Sequence, residues 1–113
     1  MKDTNIVGKD SIRGYIDMII LCLVAERDRY GYEIYKEVIT RSEGEWELKE
    51  PSLYSAIRRL EGAGYIRAYW GEESQGGRRK YYAITDTGRA QEARSRGEWK
   101  AAKRILDKLI GEA

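Results

Sequence analysis

Histidine and phenylalanine are absent from these 113 residues, and cysteine and proline occur once each. Each scarcity closes a class of chemistry. Without histidine there is no Ser-His-Asp or Cys-His catalytic arrangement. With Cys22 as the single thiol, one chain builds neither a disulfide framework nor a Cys/His zinc site. No carboxylates cluster in the sequence, and no phosphate-cradling glycine loop precedes a helix. Catalysis therefore has no candidate residues, and the expectation is a protein that is not an enzyme and needs no cofactor or metal. Long apolar runs are missing too. The longest, Met18 to Ala25, falls far short of the ~20 residues that span a bilayer, and no cleavable signal pattern opens the chain. A cytoplasmic protein with no membrane partner is expected. Cys22, inside MIILCLV, reads as a small buried hydrophobe.

What remains is ordinary in amount and uneven in place. The net charge is +2, so any case for a nucleic-acid partner rests on where the cations lie. Charged residues make up 35% of the chain and hydrophobic residues 42%, which suits one folded domain with a modest core. Nine tyrosines and three tryptophans carry the aromatic content, and these amphipathic rings favour surfaces that meet a partner.

Hydrophobic spacing predicts a helix over 10–25, with Ile12, Ile16, Ile19, Ile20 and Leu23 inward and Ser11 or Asp10 as cap. Asp17 interrupts that apolar surface. A second helix is predicted over 30–42, with Tyr30, Ile34, Val38, Tyr35 and Ile39 on its inner face. The alternation of Trp46 and Leu48 with charges then predicts a short strand. Pro51 opens a third helix through PSLYSAIRRLEGAG. Leu53, Ala56, Ile57 and Leu60 point inward there, and Ser52, Tyr54, Ser55, Arg58 and Arg59 are left outside. A hairpin follows, with Ile66, Ala68 and Trp70 on one side of the first strand and KYYAI as the return strand. Its long loop carries Gly76 and Gly77. Thr85 and Asp86 cap a last helix from about 87 to 111.

This order is that of a winged helix-turn-helix: mainly α with a small β-hairpin, plus one long C-terminal helix. Residues 1–9 read as a flexible N terminus, 10–85 as a winged helix DNA-binding domain and 86–113 as a dimerisation helix. In such folds the third helix enters the major groove and the wing touches flanking backbone. Ser52, Tyr54 and Ser55 would meet DNA from the third helix. Lys49, Arg58, Arg59, Gly77, Arg78, Arg79 and Lys80 would supply phosphate contacts. A charge run such as GGRRK is as often a solvated turn, and Tyr54 has the alternative of packing on the wing.

The run PSLYSAIRRLEGAGYI, followed by W-x(5)-GGRRKYYAITDTG, resembles the signature of PadR-type transcriptional regulators. The likeness covers about residues 10 to 110. It implies that Ser52, Leu53 and Tyr54 head the reading helix and that Gly77, Arg78 and Lys80 form the wing tip. The small residue usual in the family between the proline and the Ser-Leu-Tyr run is missing here. A single C-terminal helix is similar to the short subgroup that dimerises through it, and the wing is similar to that of a multidrug-responsive member. That likeness implies an effector site between this helix and the first helix of the partner copy, at positions matching Asp17, Met18 and Trp99, with Ser11 near its mouth.

The residues support the pairing on their own. Trp99, Ala102, Leu106 and Leu109 follow a 3-4-3 spacing that a monomer would leave exposed. With Ile12 they are the expected interface of a two-fold dimer reading an inverted-repeat operator, its reading helices about 34 Å apart. Trp99 serves either as an interface anchor or as a platform for a planar aromatic or amphipathic guest. Asp17 serves a guest, pairs with Arg13 or Lys103, or stays solvated. Lys103, one turn beyond Trp99 and counted among the effector-site residues, and the adjacent Lys100 would disfavour a cationic guest unless Asp17 or Glu98 offsets them. The expected function is a homodimeric repressor released by such a guest. A winged-helix protein-interaction module, or a repressor without an effector, is the alternative.

Overall fold

The structure, a computed structural model, describes residues 12–72 and 76–111. After a turn at Gly14 and Tyr15, helix α1 runs Ile16–Glu26. Strand β1 is Arg29–Tyr30, α2 is Gly31–Ser42 and α3 is Glu50–Gly62. Strands β2, Ile66–Trp70, and β3, Lys80–Ile84, form the hairpin, and α4 is Asp86–Ile110. The mainly helical winged fold with a long last helix is as the sequence predicts.

Each helix follows from local chemistry. Pro51 in the first turn of α3 gives up no hydrogen bond, because that N–H has no helical acceptor. Lys49 precedes this helix without a side-chain cap. The N–H of Tyr30 donates to the Glu33 carboxylate at 3.2 Å and closes the first turn of α2. Thr85 Oγ1 accepts from Gly88 N–H at 3.0 Å and donates to Gly64 O at 2.6 Å, so one hydroxyl starts α4 and ties it to the end of α3.

Most of the buried apolar residues among those described join one cluster. Ile20, Leu21 and Val24 of α1 meet Ile34 of α2, Leu53, Ala56, Ile57 and Leu60 of α3, and Ile66 and Tyr82 of the sheet. The four predicted inward residues of α3 are all buried. This fixes which face of α3 is left outside.

Four expectations need correction. The segment around Trp46 and Leu48 is not a strand. Leu48 is buried and Trp46 packs on the core, so their alternation records burial of an extended segment without a pairing edge. The third strand is β1 instead, and the antiparallel order is β1-β3-β2, with Arg29 opposite Tyr82 and Tyr30 opposite Tyr81. The predicted single helix over 10–25 is broken at Gly14, where backbone freedom weakens helix. Its proposed caps, Asp10 and Ser11, lie outside the described residues, as does the N terminus. Ile39 is 39% exposed, although the spacing assigns it an inward position. Cys22 is half-buried rather than enclosed.

Candidate nucleic-acid interface

With Leu53, Ala56, Ile57 and Leu60 committed to the core, α3 presents Ser52, Tyr54, Arg58 and Arg59 as exposed side chains, with Ser55 half-buried. The hydroxyl end of Tyr54 lies against Gly31 so closely that a Cβ there would collide with it. Arg58 donates to Ser55 Oγ at 3.3 Å along the same face. Arg59 turns toward α1, where its Nε and Nη2 donate to the two Asp17 oxygens at 3.0 and 2.6 Å. These bonds raise the Arg59 pKa, so the group stays a cation throughout. Lys49 sits 3.6 Å from the Glu47 carboxylate.

The hairpin is built on tyrosines. Tyr69 and Tyr81, opposite each other in the β2–β3 ladder, stack at 5.7 Å. Tyr30 meets Tyr81 edge-on at 5.4 Å. Tyr69 donates to Asp28 Oδ2 at 2.5 Å, and that bond raises the phenol's pKa. The ladder is prolonged by Gly71 N–H to Arg79 O at 2.7 Å. Gly77 adopts φ 92°, a conformation that suits glycine in the turn. Arg78 and Arg79 point their guanidinium groups at rings: Arg78 at Trp70, 5.5 Å away, and Arg79 at Tyr30, 4.7 Å away. Lys80 is exposed.

A chain of contacts therefore joins the reading helix to the wing. Tyr54 of α3 packs on Gly31, the next residue is Tyr30, and Tyr30 carries both Tyr81 and Arg79 of the wing. The sequence predicts both ends of this chain and misses its middle. The available signal is the aromatic-glycine-aromatic run at Tyr30, Gly31 and Tyr32.

A second group missed from sequence is ionic. Arg29, 4% exposed, donates from Nε to Leu23 O at 2.8 Å and from Nη2 to Glu26 Oε1 at 2.8 Å. Arg41 bridges Glu26, at 2.5 and 2.9 Å, and Glu37, at 2.7 Å. Arg41 foremost, with help from Arg29, holds the Glu26 carboxyl down at about 2. This network locks the end of α1 to α2.

Beside it opens a cavity of about 450 Å³ lined by Ile12, Tyr15, Met18, Ile19, Cys22, Trp46 and Trp99, with Arg41 and Arg96 at its polar margin. Burial raises the Cys22 thiol's pKa, so it is a neutral wall group. Of the expected effector residues, Met18 and Trp99 meet here. Asp17 faces α3 instead, Lys103 lies 3.4 Å from Asp107 one turn along its own helix, and Ser11 lies outside the described residues. Trp99, Leu106 and Leu109 are 41%, 50% and 76% exposed, and Ala102 is exposed beside them.

The sequence profile of the transcriptional regulator PadR-like family matches residues 20–94, from α1 through the wing into α4. The chain belongs to this family. A transcriptional regulator from Clostridium thermocellum is 43% identical and superposes with a TM-score of 0.83, over 93% of this chain and 99% of that one. A PadR family transcription regulator from Clostridium difficile is 40% identical with a TM-score of 0.78, over 87% and 100% of the two chains. An uncharacterised protein of Lysinibacillus sphaericus is 46% identical over 101 residues, 89% of this chain and 93% of its own. As a PadR-like protein, the chain is a DNA-binding transcriptional regulator. The profile match contains α3 and the wing and ends before Trp99, so the apolar seam of α4 lies outside it. No helix among the described residues is long and apolar enough to cross a membrane.

Proposed function

We propose that this PadR-like regulator is a homodimeric repressor that releases its operator when a planar aromatic or amphipathic compound enters the cavity beside Trp99. The carrying observation is the seam of α4. Trp99, Leu106 and Leu109 are 41–76% exposed on one chain. Exposing that much apolar surface at one seam is costly in water, and a two-fold partner covers it most simply. Pairing through α4 sets two copies of α3 and the wing toward the same duplex. Ser52, Tyr54 and Ser55 then meet base edges and sugars, and the cations of α3 together with Arg78 and Lys80 of the wing meet phosphates.

The cavity supports the effector half of the reading. Its wall is apolar and aromatic, and it joins α1 to α4 at the base of the seam. A guest that wedges α1 from α4 changes the tilt between the two winged units. It thereby favours the state that does not fit DNA.

The experiment is a gel shift on the duplex upstream of the chain's own gene, titrated with planar dyes. Release from the parent protein but not from Trp99→Ala is expected. If no dye releases the duplex and none perturbs tryptophan emission, the effector half fails. A protein that sediments as a monomer at micromolar concentration removes the dimer half.

A further inference from the structure

Trp70 is the most exposed tryptophan whose exposure the structure gives, and it lies at the end of a strand that begins in the core. Ile66, Ala68 and Trp70 alternate onto one face of β2. Ile66 is buried and Ala68 packs against the core, whereas Trp70 is 56% exposed. The inward face of the hairpin thus continues past the edge of the core into solvent. β2 packs on α3, so this overhanging face lies on the α3 side.

Register divides the three adjacent cations. Lys80 pairs directly with Trp70, so their side chains share the overhanging face. Arg78 joins them, its guanidinium 5.5 Å from the Trp70 ring centroid. Arg79 goes the other way. It lies over Tyr30, on the face that Tyr69 and Tyr81 occupy, 4.7 Å from the ring centroid. The run Arg78-Arg79-Lys80 is therefore two surfaces. One is an aromatic ring flanked by two cations, facing the α3 side. The other is a cation held against the tyrosine cluster.

We infer that Trp70 is a DNA-contacting residue, its ring laid against the deoxyribose edge of the duplex between phosphates held by Arg78 and Lys80, while Arg79 braces the wing without touching DNA. The inference rests on the proposal that the wing meets DNA. Its chemistry is complementary to one occupant. A duplex backbone presents apolar sugar faces between anionic phosphates at the spacing of neighbouring side chains, and a cation stacked on a ring serves both parts. The contact also accounts for a large ring left in water at the end of the hairpin.

Single substitutions test it on a mixed-sequence duplex at low salt, where backbone contacts dominate affinity. Trp70→Ala is expected to weaken binding at least about fivefold, as for an anchoring interface tryptophan. The slope of log affinity against log salt should stay unchanged, since no charge is removed. Trp70→Phe should retain most of the affinity and guards against a folding defect, with circular dichroism checked for both. Lys80→Ala is expected to flatten the slope by about 0.9 for each phosphate it no longer neutralises. Arg79→Ala should leave affinity within about twofold and instead lower the thermal midpoint, because the cation no longer stacks on Tyr30. If Trp70→Ala binds as the parent does while Lys80→Ala weakens binding, the ring contact is wrong and the wing reading stands. If Lys80→Ala and Arg78→Ala also bind as the parent does, the wing reading falls with it. If Arg79→Ala flattens the slope as Lys80→Ala does, the division into two surfaces is overturned.

Discussion

Asp17 accepts two hydrogen bonds from Arg59, at 3.0 and 2.6 Å, and so ties the first turn of α1 to the outer face of α3. The neighbouring Met18 lines the cavity. One turn of helix thus touches both the candidate guest site and the candidate reading helix. The pair is 43% and 56% exposed at its two side chains, so its share in stability is small. Asp17→Ala should change the unfolding free energy by less than about 1 kcal/mol. Its effect on DNA should run the other way. Removing a carboxylate leaves Arg59 as an uncompensated cation on the reading helix, and gel shifts at low salt should show tighter duplex binding. Weaker binding by Asp17→Ala would mean that Arg59 must be held by Asp17 to serve DNA.

Acid should weaken the junction of α1 and α2. The Glu26 carboxyl is held at about 2 in the folded chain, against an ordinary 4.5, by Arg41 foremost. A depressed folded pKa contributes stability above the unfolded value and loses it as the pH falls toward the folded one. The thermal midpoint of the parent should therefore fall between about pH 4.5 and pH 2. Glu26→Gln should start lower at neutral pH and show a shallower fall across that window. Parallel profiles for the two proteins would remove Glu26 from the acid response.

Two glycines of α4 should respond oppositely to alanine. At Gly88 a Cβ would collide with the Tyr65 carbonyl, which is backbone and bound to the Thr85 N–H at 3.0 Å. Gly88→Ala should cost about 1–3 kcal/mol, as overpacking does. At Gly97 nothing lies within reach of a Cβ, and the position is on the helix side opposite Trp99 and Leu106. Gly97→Ala should stabilise by about 0.5–1 kcal/mol. Urea unfolding of the two variants gives both signs in one experiment.

The seam of α4 predicts a state change. Leu106→Glu combined with Leu109→Glu puts two carboxylates where two apolar chains would be covered. Sedimentation should find a monomer with the circular dichroism of a folded winged domain. Duplex binding should fall with the loss of the second half-site. A double variant that stays dimeric would move the interface off this seam.

Much of the fold is legible in the sequence because hydrophobic spacing and turn chemistry report directly on burial. Leu53, Ala56, Ile57 and Leu60 at spacings of three and four place α3 and its outer face correctly. Thr85, Pro51 and the glycines of the hairpin loop mark the ends of elements. What stays hidden depends on tertiary pairing. β1 is two residues long and exists because Arg29 and Tyr30 meet β3. Trp46 and Leu48 alternate as strands do, yet burial holds them without a pairing strand. Trp70 obeys the inward register, but where the core stops under the hairpin is not written in local spacing. The partner of Asp17 is 42 residues away, and no short-range pattern links the two.

The proposed repressor stands on two copies of the wing and α3 meeting one duplex. The direct measurement is the salt dependence of duplex affinity for the parent and for Arg78→Ala combined with Lys80→Ala. Each phosphate that a cation ceases to neutralise takes about 0.9 from the salt exponent, so a dimer without these four side chains should show an exponent smaller by about 3.6. An exponent and an affinity equal to those of the parent would contradict the account.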